Sequence, residues 1–438
     1  MSRARGKIAA TAVVLATAAG SAAACSSSTS NASGGASASH SGTLSPAPRP
    51  SRPGTDGTHS PPADTPNSAQ RAAAAVQGPA APATAGQLAA LRAQGPEIAR
   101  LTPRQMAGQR VIYSYNGLSA PGWLLTDIRN GDVGGVIFFA FNISSEAQIR
   151  AVIAKMVAAN ASPQNPARRY PLLLMTDQEG GLVKRLPGPP DISERQIGSS
   201  PDPASAAAAA GSSAAANLRG VGMNVNLAPV IDVYRQAGDF DDQFQRSFSM
   251  NPAVVSLAGA AFIRAQQAGH VAATAKHFPG LGAASAAANT DNGPVVINLT
   301  AATLRTFDEV PYQAAIKAGT KLVMVSWAKY PALDGSLPAG LSPRIVVGEL
   351  RDRVGYQGVT ITDALGAGAL GVYGTLQNKT MLAARAGMDA LLCTAVKPLP
   401  GWKCLNGLLA GFRDGAVGKT SFEAGLAQLL QLRATLPS

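Results

Sequence analysis

Eight short apolar, β-rich runs, each followed by a longer stretch of helical character, constrain this chain more than any other feature. They are Arg110–Tyr115 (RVIYSY), Gly135–Phe139 (GVIFF), Leu172–Asp177 (LLLMTD), Asn224–Val230 (NVNLAPV), Ala272–His277 (AATAKH), Lys321–Trp327 (KLVMVSW), Gly358–Asp363 (GVTITD) and Asp389–Thr394 (DALLCT). Short, continuously apolar runs suit strands buried on both faces, as in a parallel sheet covered by helices. Segments such as Glu146–Asn160 and Pro203–Arg219 have the alanine content and apolar spacing of helices. Eight such units fit an α/β fold of the closed (β/α)8 TIM-type barrel kind. A doubly wound open sheet is the competitor, and periodicity alone does not separate the two. The polar residues favour the barrel: Asp177, His277 and Asp363 close their runs at the carboxyl end, the face where barrel enzymes build active sites.

The start of the chain reads differently. Arg3, Arg5 and Lys7 precede an apolar, alanine-rich run from Ile8 to Ala24, so residues 1–25 are expected to be an export signal. Ala22-Ala23-Ala24-Cys25 resembles the lipobox of bacterial lipoproteins, although leucine usually stands where Ala22 does. Cys25 is therefore the expected lipidation site, with simple secretion as the alternative. The expected location is the outer face of the cell membrane. Residues 26–87 are rich in Ser, Ala, Gly, Thr and Pro and poor in large apolar side chains, the composition of an unfolded tether. Residues 88–438 then form one folded domain. Only three cysteines occur. With Cys25 carrying lipid, Cys393 and Cys404 are left around a Pro/Gly-containing turn, where a disulfide is plausible outside the reducing cytoplasm; two unpaired thiols are the alternative.

The formal charge of +12 is modest over 438 residues. Dense Lys/Arg blocks with interleaved aromatics are missing, which argues against a nucleic-acid partner. An anionic envelope surface or an acidic substrate suits the excess better, as does a plain solubility charge. A monomer is expected.

Three clusters carry the chemistry. Asp177-Gln178-Glu179-Gly180-Gly181, with Lys184 and Arg185 following, suits a loop passing close to a ligand, with Asp177 accepting hydroxyl protons. Lys276-His277-Phe278-Pro279-Gly280, supported by Arg246 in QRSFS, offers donors to the oxygens of a polar ligand. Asp363 closes a strand of Val, Thr and Ile, where it serves as nucleophile or charge stabiliser, or else caps the next helix.

Taken in order, QEGG after a strand aspartate, APVIDV at 228–233, RSF at 246–248, KHFPG at 276–280, the run 341–365 ending in TITDAL, and AGMDALL at 386–392 resemble glycoside hydrolase family 3. The likeness is closest to its single-domain β-N-acetylglucosaminidases, including a bacterial lipoprotein branch acting on cell-wall sugars. The resemblance implies that Asp363 is the nucleophile of a retaining mechanism. It also implies that Asp177, Arg185, Arg246, Lys276 and His277 bind the terminal sugar, with Asn142 in FAFN near the site. No metal or cofactor is implied.

The chain departs from the family at the proton donor. Members of this type carry an Asp-Ser-His on the loop after KHFPGHG. Here Leu281 replaces that motif's histidine and the loop reads AASAAANTDNGP, which contains no histidine. Asp291, in a turn expected to be flexible and able to fold over the cleft, is the remaining candidate for the acid/base. Trp327 stands where the family has a histidine on the sixth strand, and is expected to stack on a sugar face. The resulting expectation is an exported exo-glycosidase releasing terminal β-N-acetylglucosamine from peptidoglycan fragments. The alternatives are a glycan-binding lipoprotein that has lost its acid, or a family 3 hydrolase for another β-sugar.

Overall fold

The structure, a computed structural model, describes residues 79–437. The expected export signal, Cys25 and most of the tether lie outside the described residues. Eight strands, β1 (Val111–Tyr113), β2 (Gly135–Ile137), β3 (Leu173–Thr176), β4 (Val225–Asn226), β5 (Ala272–Phe278), β6 (Leu322–Val325), β7 (Val359–Thr362) and β8 (Leu391–Leu392), fall within the eight apolar runs, β5 reaching one residue further. They form one sheet in the order β7-β6-β5-β4-β3-β2-β1-β8, with every neighbouring pair parallel. A parallel bridge between Ile361 and Ala390 joins the two ends. Beside it, Thr362 N donates to Ala390 O at 3.0 Å and Ala390 N to Thr360 O at 2.9 Å. The sheet is thus a closed barrel, and the open-sheet alternative is excluded.

Closure sorts the side chains by strand alternation. Ile112, Ile137, Leu173, Met175, Val225, Leu322, Met324, Val359, Ile361 and Leu392 fill the interior. Their strand neighbours, among them Val111, Tyr113, Val136, Leu174, Val323 and Val325, pack outward against the helices. Pro203–Val221 is a helix because Asp202 caps it by accepting from Ser205 N, Pro203 opens it, and Gly222 in the left-handed region ends it. Gly211 lets this helix approach Pro252–Ala268 closely, since a Cβ there would lie 2.4 Å from Phe262 O. The last helix, Lys419–Arg433, closes the amino-terminal end: Leu429 and Leu432 join the barrel interior, and Arg433 donates to Pro171 O at 2.7 Å and Tyr170 O at 2.9 Å.

Residues before 88 already belong to the folded domain. Helix Ala85–Ile98 is opened by a reciprocal capping pair of Thr84 and Gln87, and Ala81 N donates to Arg385 O at 2.7 Å. Composition reads residues 81–87 as tether because their docking depends on partners some 300 residues away. The key partner is Asp389, buried at the start of the last apolar run. It receives Gln87 Nε2 at 2.7 Å, Thr360 N at 2.9 Å and Thr360 Oγ1 at 3.0 Å, and pairs with the equally buried Arg351 at 2.5 Å. Cys393 and Cys404 are joined by a disulfide with Cα atoms 6.2 Å apart, tying the chain after β8 to helix Gly401–Arg413. Asp389→Ala leaves Arg351 buried and unpaired, so the unfolding free energy measured by urea titration is expected to fall by about 3–5 kcal/mol.

Candidate active site

A cleft of about 590 Å³ opens at the carboxyl ends of the strands. The top layer of the barrel, Ile137, Leu227, Met324 and Leu392, forms part of its lining, together with Asp177, Arg185, Arg246, Lys276, His277, Asp291 and Asp363. Seven of the eight expected catalytic and binding residues therefore meet in one place. Asn142 is the exception: it is buried beside the cleft, its Oδ1 accepting from Phe139 N and its Nδ2 donating to Tyr115 O and Gly117 O, each at 3.0 Å. All its polar atoms are spent on loop backbone, so it shapes the wall and does not reach a ligand.

The charged centre is built from Lys276. Its Nζ lies 2.9 Å from Asp177 Oδ1 and 2.6 Å from Glu179 Oε1, with the lysine side chain almost fully buried. Glu179 also receives Arg246 through Nε at 2.9 Å and Nη2 at 3.0 Å, a two-pronged pairing that fixes the guanidinium plane. Burial alone would push the Asp177 carboxyl up, but Lys276 and Arg185 outweigh it and hold it at about 2. Asp177 is accordingly an ionised acceptor at any physiological pH. Glu179 sits on the hairpin formed by Gln178–Gly180 and Val183–Lys184, which Asn226 of β4 grips through Gln178 N and Gln178 O, both at 2.9 Å.

His277 is oriented from behind by Asp232. Its Nδ1 is 2.8 Å from Asp232 Oδ2. Asp232 also receives His277 N at 3.1 Å and Leu281 N at 2.7 Å. Burial, aided by the charge of Arg246, lowers the imidazole to about 4, so the ring is neutral near pH 7, with its Nδ1–H donated to Asp232. Asp241 completes the group. Burial and then the repulsion of Asp232 push Asp241 up to about 7, and neither of its oxygens has a hydrogen-bond partner. Asp232, Asp241 and His277 offer ligand atoms within 4.8 Å of one another, the spacing of a metal site. Asp232 is already occupied by three donors, however, and Arg246 Nη1 lies 3.6 Å from Asp241. The cluster is suited to holding protons and a fixed imidazole.

Glu179, Asp232 and Asp241 are the functional residues that sequence reasoning passes over. Glu179 lies inside the QEGG motif, and an aspartate within the apolar run APVIDV is itself a signal, because a carboxylate on such a segment needs buried donors.

Asp363 follows β7, partly buried, with its Oδ1 accepting Ala364 N at 2.6 Å. Burial raises its carboxyl and the nearby charge of Asp291 raises it further, against the pull of His277 and Lys276. Asp291 stands exposed at the mouth, and the desolvation of its inner side raises it too. The turn carrying Asp291 is already docked. Gly368 N donates to Asp291 O at 2.8 Å and Ala369 N to Thr290 O at 2.9 Å, pinning it to the segment just beyond Asp363. Asp291 N in turn donates to Asn289 Oδ1 at 2.8 Å. Leu281 lines the cleft where the family's motif has histidine. Trp327 is buried away from the cleft and does not stack on a ligand; its Nε1 donates to Ala364 O at 2.9 Å, steadying the backbone beside Asp363.

Residues 124–432 match the family profile described as "Glycosyl hydrolase family 3 N terminal domain". The chain is 44% identical over 351 residues to an uncharacterized secreted glycosyl hydrolase of Arthroderma benhamiae, covering 80% of this chain and 98% of that protein. It is 34% identical over 274 residues to a beta-hexosaminidase of Stenotrophomonas maltophilia, covering 60% and 77%. Among solved structures it resembles a glycoside hydrolase family 3 beta-N-acetylglucosaminidase from Paenibacillus sp., with a TM-score of 0.69 at 30% identity, over 76% of this chain and 63% of that one. It also resembles a beta-N-acetylhexosaminidase from Beutenbergia cavernae, with a TM-score of 0.68 at 28% identity, over 76% and 98%.

The docked turn depends on Gly368, where a Cβ would lie 2.5 Å from the Asn292 backbone. Gly368→Ala is therefore expected to push residues 290–292 outward. Hydrogen exchange at the amides of residues 368 and 369 should accelerate by about tenfold or more as their two bonds are lost, while exchange in β1 to β4 stays as it was.

Proposed function

The chain belongs to glycosyl hydrolase family 3 and is a glycoside hydrolase; from that premise we propose that it is an exo-acting, retaining enzyme that removes terminal β-linked N-acetylglucosamine. The observation that carries this reading is the pair of carboxyl groups, Asp363 and Asp291, facing one cleft, with the charge of Asp291 raising the affinity of Asp363 for a proton. Two carboxyl groups with different environments are what a double-displacement glycosidase needs. Asp363, deeper and supported by Ala364 N–H, attacks the anomeric carbon. Asp291, at the mouth, protonates the departing oxygen and then takes a proton from the attacking water.

The remaining residues position the sugar. Asp177, held ionised, accepts protons from sugar hydroxyls. Arg185, Arg246 and Lys276 present donors along the same wall, and neutral His277 offers its Nε2 face with its orientation set by Asp232. Lys276 and Arg246 are so fully engaged by Asp177 and Glu179 that they hold their positions before substrate arrives, which lowers the reorganisation cost of binding. Cell-wall fragments are the proposed source of the sugar. An exported protein, anchored through Cys25, would meet such fragments outside the membrane, and the secreted relative from Arthroderma benhamiae supports the export part of this reading.

Kinetics on N-acetyl-β-glucosaminides test the assignment. Asp363→Ala is expected to lower kcat/KM on every substrate by about 10⁴-fold or more. Asp291→Asn should cost about 10²–10⁴-fold on a disaccharide, whose leaving group needs a proton, and far less on an activated aryl glycoside. The wild-type profile of kcat/KM against pH should fall as pH rises through the raised pKa of Asp291, because the acid is then ionised. That falling limb should be absent in Asp291→Asn. Fragment binding without turnover by the wild type would instead support a glycan-binding protein.

A further inference from the structure

A second cavity, of about 460 Å³, opens at the opposite end of the barrel from the cleft. It lies between the last helix, Lys419–Arg433, and the residues that lead into β6 and β7. Nothing in the glycosidase chemistry uses it. Its frame is fixed by Tyr356, whose hydroxyl lies 2.9 Å from both Lys321 O and Val359 O and so ties the starts of the two strands together. Gly358 leaves room for that hydroxyl, since a Cβ there would lie 2.4 Å from it. Two polar groups meet the cavity with nothing to bind. Gln428 is only 6% exposed, and on the helix it sits between the fully buried Ala427 and Leu429. Its side-chain amide lines the cavity and has no hydrogen-bond partner among the described residues. A buried amide left unpaired is unfavourable, and such groups are rare in folded proteins. Lys321 stands at the exposed rim. Its backbone is held, with N donating to Gln267 Oε1 at 3.0 Å, but its ammonium has no partner, and no described acidic residue lines the cavity.

The chemistry of these groups selects the ligand. The Gln428 amide presents an acceptor and a donor in one plane, the complement of a peptide group. An ammonium with no counter-charge calls for an anion, and a carboxylate meets it with a charge-assisted hydrogen bond. Ile316 and Leu432 line the same cavity and give a small alkyl side chain an apolar wall. A neutral sugar would satisfy Gln428 and leave Lys321 without a counter-charge; a simple anion would do the reverse. We propose that the cavity is a second binding site, which takes the carboxyl terminus of a peptide, with the terminal carboxylate on Lys321 and the last peptide group on Gln428. The site and the cleft lie at opposite ends of the barrel, so the two can be occupied at once. The proposal stands apart from the glycosidase reading, and neither depends on the other.

Isothermal titration calorimetry on the full chain tests it, with N-acetyl-alanyl-alanine, its carboxamide, acetate and N-acetylglucosamine as probes. The acid is expected to bind saturably, about tenfold or more tighter than the carboxamide or acetate, because only the acid meets both groups. Gln428→Leu and Lys321→Gln should each weaken the acid by about tenfold. Gln428→Leu removes a buried amide that has no partner, so its Tm should be no lower than that of the wild type, and Lys321→Gln changes an exposed side chain only. Hydrolysis in the cleft should be unchanged in both variants. Absence of saturable binding of the acid up to about 10 mM overturns the proposal. Equal affinity for acid and carboxamide, or binding indifferent to both substitutions, also overturns it. A preference for N-acetylglucosamine that is lost in Gln428→Leu would make the cavity a sugar site and contradict the peptide assignment.

Discussion

The buried ion network around Lys276 is the interaction on which the site depends. A lysine and an arginine are brought into the floor of the barrel mouth, and each buried charge costs several kcal/mol unless it is paired and hydrogen-bonded. Glu179 supplies both pairings at once, with Nζ of Lys276 at 2.6 Å and the two guanidinium bonds of Arg246 at 2.9 and 3.0 Å. Asp177 takes the remaining approach to Lys276. The end of β3, the hairpin after it, β5 and the loop carrying Arg246 thus meet through these paired side chains. The barrel places strand ends side by side, and the network turns that proximity into a fixed pattern of donors and one ionised acceptor.

The same cleft holds the two carboxyl groups Asp363 and Asp291. Asp363 is held by its own strand end, and Trp327 steadies the next residue from behind. Asp291 is held by backbone bonds from Gly368 and Ala369, which follow Asp363 in the same loop. The proposed nucleophile and the proposed acid are therefore mounted on one another. Such mounting offers a physical substitute for the loop histidine that the family resemblance leads one to expect and that Leu281 replaces.

Much of this was legible in the sequence because it follows from local pattern. Each of the eight strands falls in a short, mainly apolar run, and Asp177, His277 and Asp363 mark the functional end of the barrel by their place in those runs. What was not legible depends on distant partners. The alanine-rich loop before Asp291 looks mobile, and only Gly368, with its missing Cβ, shows how it docks. Residues 81–87 have the composition of a tether until Gln87 meets Asp389. Asn142 and Trp327 were expected at the ligand from their motif positions, yet their polar atoms are consumed by backbone groups that no local pattern reveals. Glu179 and Asp232 are carboxylates whose importance appears only when their cationic and histidine partners, on another strand, are in view.

The central claim is that Asp291 does the work of the acid/base across from Asp363, and chemical rescue measures it directly. In Asp291→Ala, hydrolysis of a dinitrophenyl N-acetyl-β-glucosaminide should stall at the glycosyl-enzyme, because no base activates water. Added azide, which needs no base, should restore turnover and yield the β-glycosyl azide. An azide-insensitive variant, or one that still hydrolyses the disaccharide at the wild-type rate, would contradict the account.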